Sequence, residues 1–413
     1  MPSNETEPPI GSRGVLLHVG PHKTGTSALQ GGLAASHDVL LRHGVTVVGT
    51  TAEQHHAARA VTRHSSTRGM KRIDDRHWTD LAASVQQVRG RAVISSELFD
   101  VATDDVISRI VDDLGPDRLH VAVTAVPLSS LMPSAWQQRI RSGFTVPLDD
   151  WLRETLDAHG RDEPARFWRR HRLDHVLTRW AAAIGPDRVH LVIGDKERKR
   201  QILEMFEQLL GVPDGTIVNP AWSTNRSMRR SEAELVRRVN TLAETAKWSA
   251  ATHARFLRMG ASHELTLRHR PGPEDPPISL PAWAHGQVHD IAASIVQGIE
   301  RSGVHVMGDL DTLLAAPAQV EDPQTPGTIS IEAAAHAVIG AARGGGAGIL
   351  REKHVEPADL RKYPGVSSAT TDLLKDELRR RGDLPELTQL PSAQLTAELR
   401  RRAKRRLRRV LGR

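Results

Sequence analysis

The stretch HVGPHKTGTSALQ, residues 18–30, sets a lysine, Lys23, and three hydroxyls, Thr24, Thr26 and Ser27, around Gly25, directly after the apolar run VLLHVG at 15–20. A strand that turns through glycine into a helix aims unpaired backbone N–H groups and the positive end of the helix dipole at one point, which makes an anion site. Lys23 adds a mobile positive charge and the hydroxyls add donors, so a tetrahedral phosphate or sulfate fits better than a carboxylate. The triphosphate form of such a loop, GxxxxGK followed by Ser or Thr, puts its lysine after the second glycine. Here Lys23 stands two residues before Gly25, and no later strand ends in the apolar-apolar-Asp pattern that holds magnesium. The chemistry expected is metal-independent transfer of an anionic group.

Other chemistries find little support. The chain of 413 residues has no cysteine, which excludes disulfides, thiolate metal sites and cysteine nucleophiles. Its 21 histidines form no HExxH, and His171 and His175, one turn apart, lack a matching acid, so no metal is expected. A GxSxG nucleophile elbow is absent as well.

An alternation of short apolar runs and helical patterns must position the loop. VLLHVG (15–20), VTVVG (45–49), RAVISSE (91–97) and the runs that follow GPDR at 115–118 and 185–188 read as strands. Helices are expected from the loop to about residue 43, and at 103–115, 128–142, 148–158, 171–184, 197–210, 230–247 and 281–303, with an irregular connection at 262–281. This rhythm predicts a three-layer α/β/α domain with a central, mainly parallel sheet over residues 14–315. A disordered lead-in (1–13), a Pro-rich acidic linker (316–330) and a helical extension (331–413) flank it. The tryptophans read as packing residues.

Net charge is +7, yet residues 400–413, RRRAKRRLRRVLGR, carry nine basic side chains and no acid. The body is therefore near neutral, which argues against nucleic acid as a partner, while the tail is free to meet anionic lipid. The polar, acidic start is unlike a signal peptide, and 121–138 is too polar to span a bilayer. The expected location is cytoplasmic, with peripheral contact at the inner membrane face through the tail.

The loop resembles the 5′-phosphosulfate loop of the sulfotransferases, the bacterial branch in particular, whose sulfuryl donor is 3′-phosphoadenosine 5′-phosphosulfate (PAPS). ISSE (94–97), VPLSSLMPSAWQQ (126–138), DWL (150–152), GDKERKRQILEMFEQLLGV (194–212) and NRS (225–227) keep the order that family shows, over roughly residues 14–312. The resemblance implies a P-loop NTPase-like fold and transfer to a hydroxyl or amine of a carbohydrate, lipid or small metabolite, releasing adenosine 3′,5′-bisphosphate. It assigns Lys23 to the leaving oxygen, and Pro21, Lys23, Thr24, Gly25, Thr26 and Ser27 to the phosphosulfate. Glu97 is the first choice of base, with His22 the runner-up. Ser134 matches the 3′-phosphate serine, with Arg226 a further contact.

One position departs from the pattern. The family places an arginine eight residues before that serine, and this chain has Val126. A charge-assisted hydrogen bond contributes about 1.5–3 kcal/mol, so its loss lowers affinity roughly ten- to a hundredfold. Arg226, or Arg139 or Arg141 on the Ser134 helix, would have to compensate; the alternative is a binding protein that keeps the fold with a weakened grip.

Overall fold

A computed structural model describes residues 10–63, 73–161, 167–194, 200–218, 226–273, 275–316 and 328–352. Most of the lead-in and of the 316–330 connection, and the basic end, lie outside the described residues.

Six strands form one sheet: β1 (Val15–His18), β2 (Val45–Val47), β3 (Arg91–Ser95), β4 (Leu119–Ala125), β5 (Val189–Ile193) and β6 (His305–Met307). Their order is β2-β3-β1-β4-β5-β6 and every pairing is parallel. Parallel neighbours need long crossovers, and here helices supply them. The molecule is α/β, as its rhythm predicts.

Side chains alternate across the sheet, and helices bury both faces. On one face Leu16, Val93, Ala122 and Val192 pack with Leu29 and Leu33 of helix α1 (Thr26–Ala35) and with Phe206 and Leu209 of the helix Gln201–Leu210. Ile10, within the stretch read as a lead-in, is buried in this layer. Val15, Leu17, Ile94, Val121 and Val123 face the other way, towards Trp78, Ile110, Leu177 and Ile295. Trp78, Trp151, Trp168 and Trp180 are fully buried, which explains a tryptophan-rich sequence as core.

The two GPDR segments act alike. Gly115 (φ 100) and Gly185 (φ 86) close the helices Asp104–Leu114 and Leu173–Ile184 in a conformation that favours glycine, and β4 and β5 begin just beyond.

Three expectations differ from the structure. The first long helix is broken at Ser36 into α1 and His37–Arg42, and the Ser36 hydroxyl accepts the Val218 N–H at 2.9 Å. The expected irregular stretch 262–281 begins with the helix Ser262–Arg268, which continues a π-helical segment, Ala254–Ala261. Strand β6 was not expected at all.

The helix Ile331–Glu352 starts where the extension was predicted, and its Ala333 is buried in the main core. The chain divides into two compact units, Met1–Gly345 and Gly346–Arg413. Among the described residues, no helix is long and apolar enough to cross a membrane.

β1 lies between β3 and β4, and the chain reverses its direction across the sheet there. The loops leaving these three strands therefore exit side by side at their carboxyl ends, where open parallel sheets bind ligands.

Candidate active site

The loop after β1 lies against the end of β3. Gly20 (φ 89) would place a Cβ 2.9 Å from the Glu97 Cα, so only glycine permits this approach. Gly25 (φ 97) precedes α1, and a Cβ there would come 2.7 Å from Ile202. Lys23 itself has a left-handed backbone, φ 72.

A buried polar ladder holds the loop from below. His18 Nδ1 meets Ser95 Oγ at 2.7 Å and its Nε2 meets Thr124 Oγ1 at 3.1 Å. Thr124 Oγ1 lies 2.5 Å from Thr24 Oγ1, which donates to the Pro21 carbonyl at 2.7 Å. The Thr124 N–H donates to the Gly20 carbonyl at 2.7 Å. Burial pushes His18 down to about 4, against the opposing Glu97 charge. A neutral ring, one nitrogen donating and one accepting, satisfies both bonds. Thr24, read from sequence as an anion ligand, thus spends its hydroxyl inside the protein. The Thr26 hydroxyl also donates to Pro21, at 3.3 Å, while Ser27 is exposed with no hydrogen bond among the described residues.

Two imidazole–carboxylate pairs flank the loop. Glu97 Oε2 accepts from Gln30 at 3.0 Å, and its Oε1 lies 3.3 Å from His55 Nε2. His55 Nδ1 faces the Thr51 carbonyl at 3.0 Å. Two acceptors facing two ring nitrogens require both to carry protons, so His55 is an imidazolium. Its hydrogen bond to Glu97 raises its pKa, burial opposing. Burial works to raise Glu97 as well, but the His55 bond and charge and the His22 charge outweigh it, and Glu97 falls to about 2.

The second pair joins His22 Nδ1 to Asp100 Oδ2 at 2.8 Å, with Arg170 Nε 3.5 Å from Asp100 Oδ1. Asp100 is buried. His22 Nδ1 donates to the carboxylate, and Nε2 has no hydrogen bond among the described residues. His22 adjoins Lys23 in the loop.

Lys23 presents an open face to solvent and makes no hydrogen bond or ion pair among the described residues. The protein packed around it strips water from the ammonium and, with the Arg141 charge, pushes it down to about 8 despite Glu97. On the helix Leu128–Arg141, Ser134 and Arg141 are seven residues apart and share a face. Neither has a hydrogen-bond partner among the described residues, whereas the Arg139 guanidinium stacks on Phe144 at 3.9 Å. Val126 packs against the core.

Arg226 is fully engaged elsewhere. It forms a two-point ion pair with buried Glu232, at 2.6 and 2.8 Å, and donates to the carbonyls of Leu265 and His269. Burial acts to raise Glu232, and hydrogen bonds from Arg226, Arg229 and His269 hold it below its ordinary value. The structure thus gives Arg226 an internal role.

The structure brings together Lys23, Ser27, His22, Glu97 and the Ser134 helix. It adds Asp100, Arg170, His55 and Gln30, which sequence alone did not mark, since these partners lie 42 to 78 positions apart along the chain. Comparison with known proteins finds no matching family model, no matching curated protein and no matching solved structure.

Proposed function

We propose that this chain is a PAPS-dependent sulfotransferase that moves a sulfuryl group to a hydroxyl or amine acceptor. The observation that carries the reading is the mouth of the β1 loop, where, among the described residues, Lys23 stands without an anion beside a histidine whose Nε2 makes no hydrogen bond. In this reading His22 Nε2 takes the acceptor proton while Asp100 fixes the ring and stabilises the imidazolium. The acceptor oxygen or nitrogen bonds to sulfur as the bond from sulfur to the bridging phosphate oxygen breaks. Lys23 and the loop N–H groups meet the charge that collects on that leaving oxygen, and adenosine 3′,5′-bisphosphate departs. Such transfers pass through loose in-line transition states, so positioning and preorganised donors supply most of the catalysis.

The base differs from the first choice made on sequence. A Glu97 that is held ionised, with both oxygens engaged, is a poor proton acceptor, and it serves better to keep His55 and Gln30 in place behind the loop.

The test is calorimetric titration with adenosine 3′,5′-bisphosphate, then transfer from a labelled donor across an acceptor screen. Lys23→Ala is expected to lower turnover about a hundred- to a thousandfold, the range for loss of one preorganised donor. Absence of heat and of any thermal shift with the bisphosphate overturns the reading.

Val126 favours a second reading, a binding protein with weakened cofactor grip, because a valine packed against the core stands where the resemblance places an arginine. It predicts that Val126→Arg gains bisphosphate affinity and that the wild type transfers nothing.

A further inference from the structure

His18 is fully buried at the end of β1, edge-on to the Phe206 ring, and its two nitrogens face hydroxyls at the ends of β3 and β4. Counting protons gives these bonds a direction. Each hydroxyl has one proton to donate, and a neutral imidazole has one N–H and one lone pair. Among the described residues the Ser95 hydroxyl meets no partner but His18 Nδ1, at 2.7 Å, so its proton finds an acceptor only where that nitrogen is bare. Nε2 then carries the ring proton and donates to Thr124 at 3.1 Å. Thr124 donates in turn to Thr24 at 2.5 Å, and Thr24 to the Pro21 carbonyl at 2.7 Å. The Gly20 carbonyl, 3.1 Å from the Thr124 hydroxyl, already takes the Thr124 N–H at 2.7 Å. The opposite tautomer strands the buried Ser95 proton, which costs more than an ordinary hydrogen bond contributes.

The far end of this chain is the anion loop. The Pro21 carbonyl faces two buried hydroxyls, those of Thr24 and Thr26. Across the trans Pro21–His22 peptide the His22 N–H points the opposite way, away from those hydroxyls. It makes no hydrogen bond among the described residues, and neither do the N–H groups of Lys23, Thr24 and Gly25.

We infer that His18 is a positioning residue for the anion loop: as the Nε2–H tautomer it relays a one-way hydrogen-bond chain from Ser95 to the Pro21 carbonyl, and so keeps the His22 N–H aimed at the bound oxyanion. This inference rests on the donor-site reading, and it makes the affinity of the loop depend on a ring that touches no ligand.

Two probes on the full chain keep the two readings apart. Inorganic sulfate, followed at the His22 amide resonance, needs no nucleotide, whereas adenosine 3′,5′-bisphosphate reports on the sulfotransferase reading. Nitrogen-15 spectra of the wild type should show a bare Nδ1 and a protonated Nε2 at His18 from pH 8 to pH 6, since burial delays a second proton until about pH 4. Sulfate should shift the His22 amide. His18→Leu should weaken sulfate and bisphosphate by about tenfold or more. His18→Gln, whose amide can accept from Ser95 and donate to Thr124, should recover most of that loss. Thr124→Val should match His18→Leu, and the double variant should lose no more than either alone, because both cut one chain. The inference is overturned if His18 carries its proton on Nδ1, if sulfate leaves the His22 amide unmoved, or if the two losses add. The tautomer is read on the wild type, so a variant that misfolds does not shield the inference. A wild type that binds sulfate at the loop but no bisphosphate overturns the sulfotransferase reading alone.

Discussion

His22–Asp100 and His55–Glu97 flank the same loop, and both join a histidine to a carboxylate within hydrogen-bonding distance. What separates them is the second ring nitrogen. His55 has a carbonyl at Nδ1 and a carboxylate at Nε2, so it is locked as a cation and its partner as an anion. His22 spends one nitrogen on Asp100, and the other makes no hydrogen bond among the described residues. An ion pair closed on itself fixes geometry, whereas a pair with one open nitrogen can move a proton, although the two look alike in a list of residues.

The largest effect should come from breaking the open pair. His22→Asn is expected to lower kcat about a hundred- to ten-thousandfold, the usual span for loss of a general base, with bisphosphate affinity unchanged by calorimetry. Full turnover in this variant would return the role of base to Glu97. Asp100→Asn, which leaves the ring in place but withdraws the charge that holds its tautomer, should give a smaller loss in kcat.

The closed pair should answer in stability. Glu97 titrates below its ordinary 4.5, so its contribution is complete above about 4.5 and fades as pH falls towards 2. His55 titrates above its ordinary 6.5, so its contribution is complete below 6.5 and fades as pH rises past its folded value. The pair therefore stabilises most between these limits. Melting curves of the wild type and Glu97→Gln should differ most at pH 4.5–6.5, by on the order of 1–3 kcal/mol, and converge towards both extremes. A difference independent of pH would mean that Glu97 acts through packing alone.

Much of this was legible in the sequence, and the limits have physical causes. Strands β1, β3, β4 and β5 are buried on both faces and so appear as unbroken apolar runs. β6 is three residues with an exposed histidine at its start, and no period can mark so short an edge. Lys23, Gly25 and Ser27 follow from local strand-turn-helix logic. Thr24 does not, because its hydroxyl is claimed by Thr124, a hundred residues away. The internal engagement of Arg226 was hidden as well. Its partner Glu232 and the carbonyls of Leu265 and His269 come from two helices whose docking no local pattern encodes. Removing that guanidinium leaves a buried charge unpaired, so Arg226→Gln should cost about 3–5 kcal/mol in chemical denaturation, with bisphosphate binding by the folded fraction preserved.

The finest test of how the surroundings are divided lies with Lys23. Its ammonium is lost as pH rises through about 8, far below its ordinary 10.5, so bisphosphate affinity should fall above that pH. Arg141 pushes Lys23 down and Glu97 pulls it up. Arg141→Gln should therefore move the fall to higher pH, and Glu97→Gln should move it lower. Opposite displacements of one titration, read from dissociation constants between pH 6 and 10, would place Lys23 electrically between Arg141 and Glu97. Displacement in the same direction, or none, would mean that the fall belongs to another group and that the loop lysine is not the one that meets the phosphate.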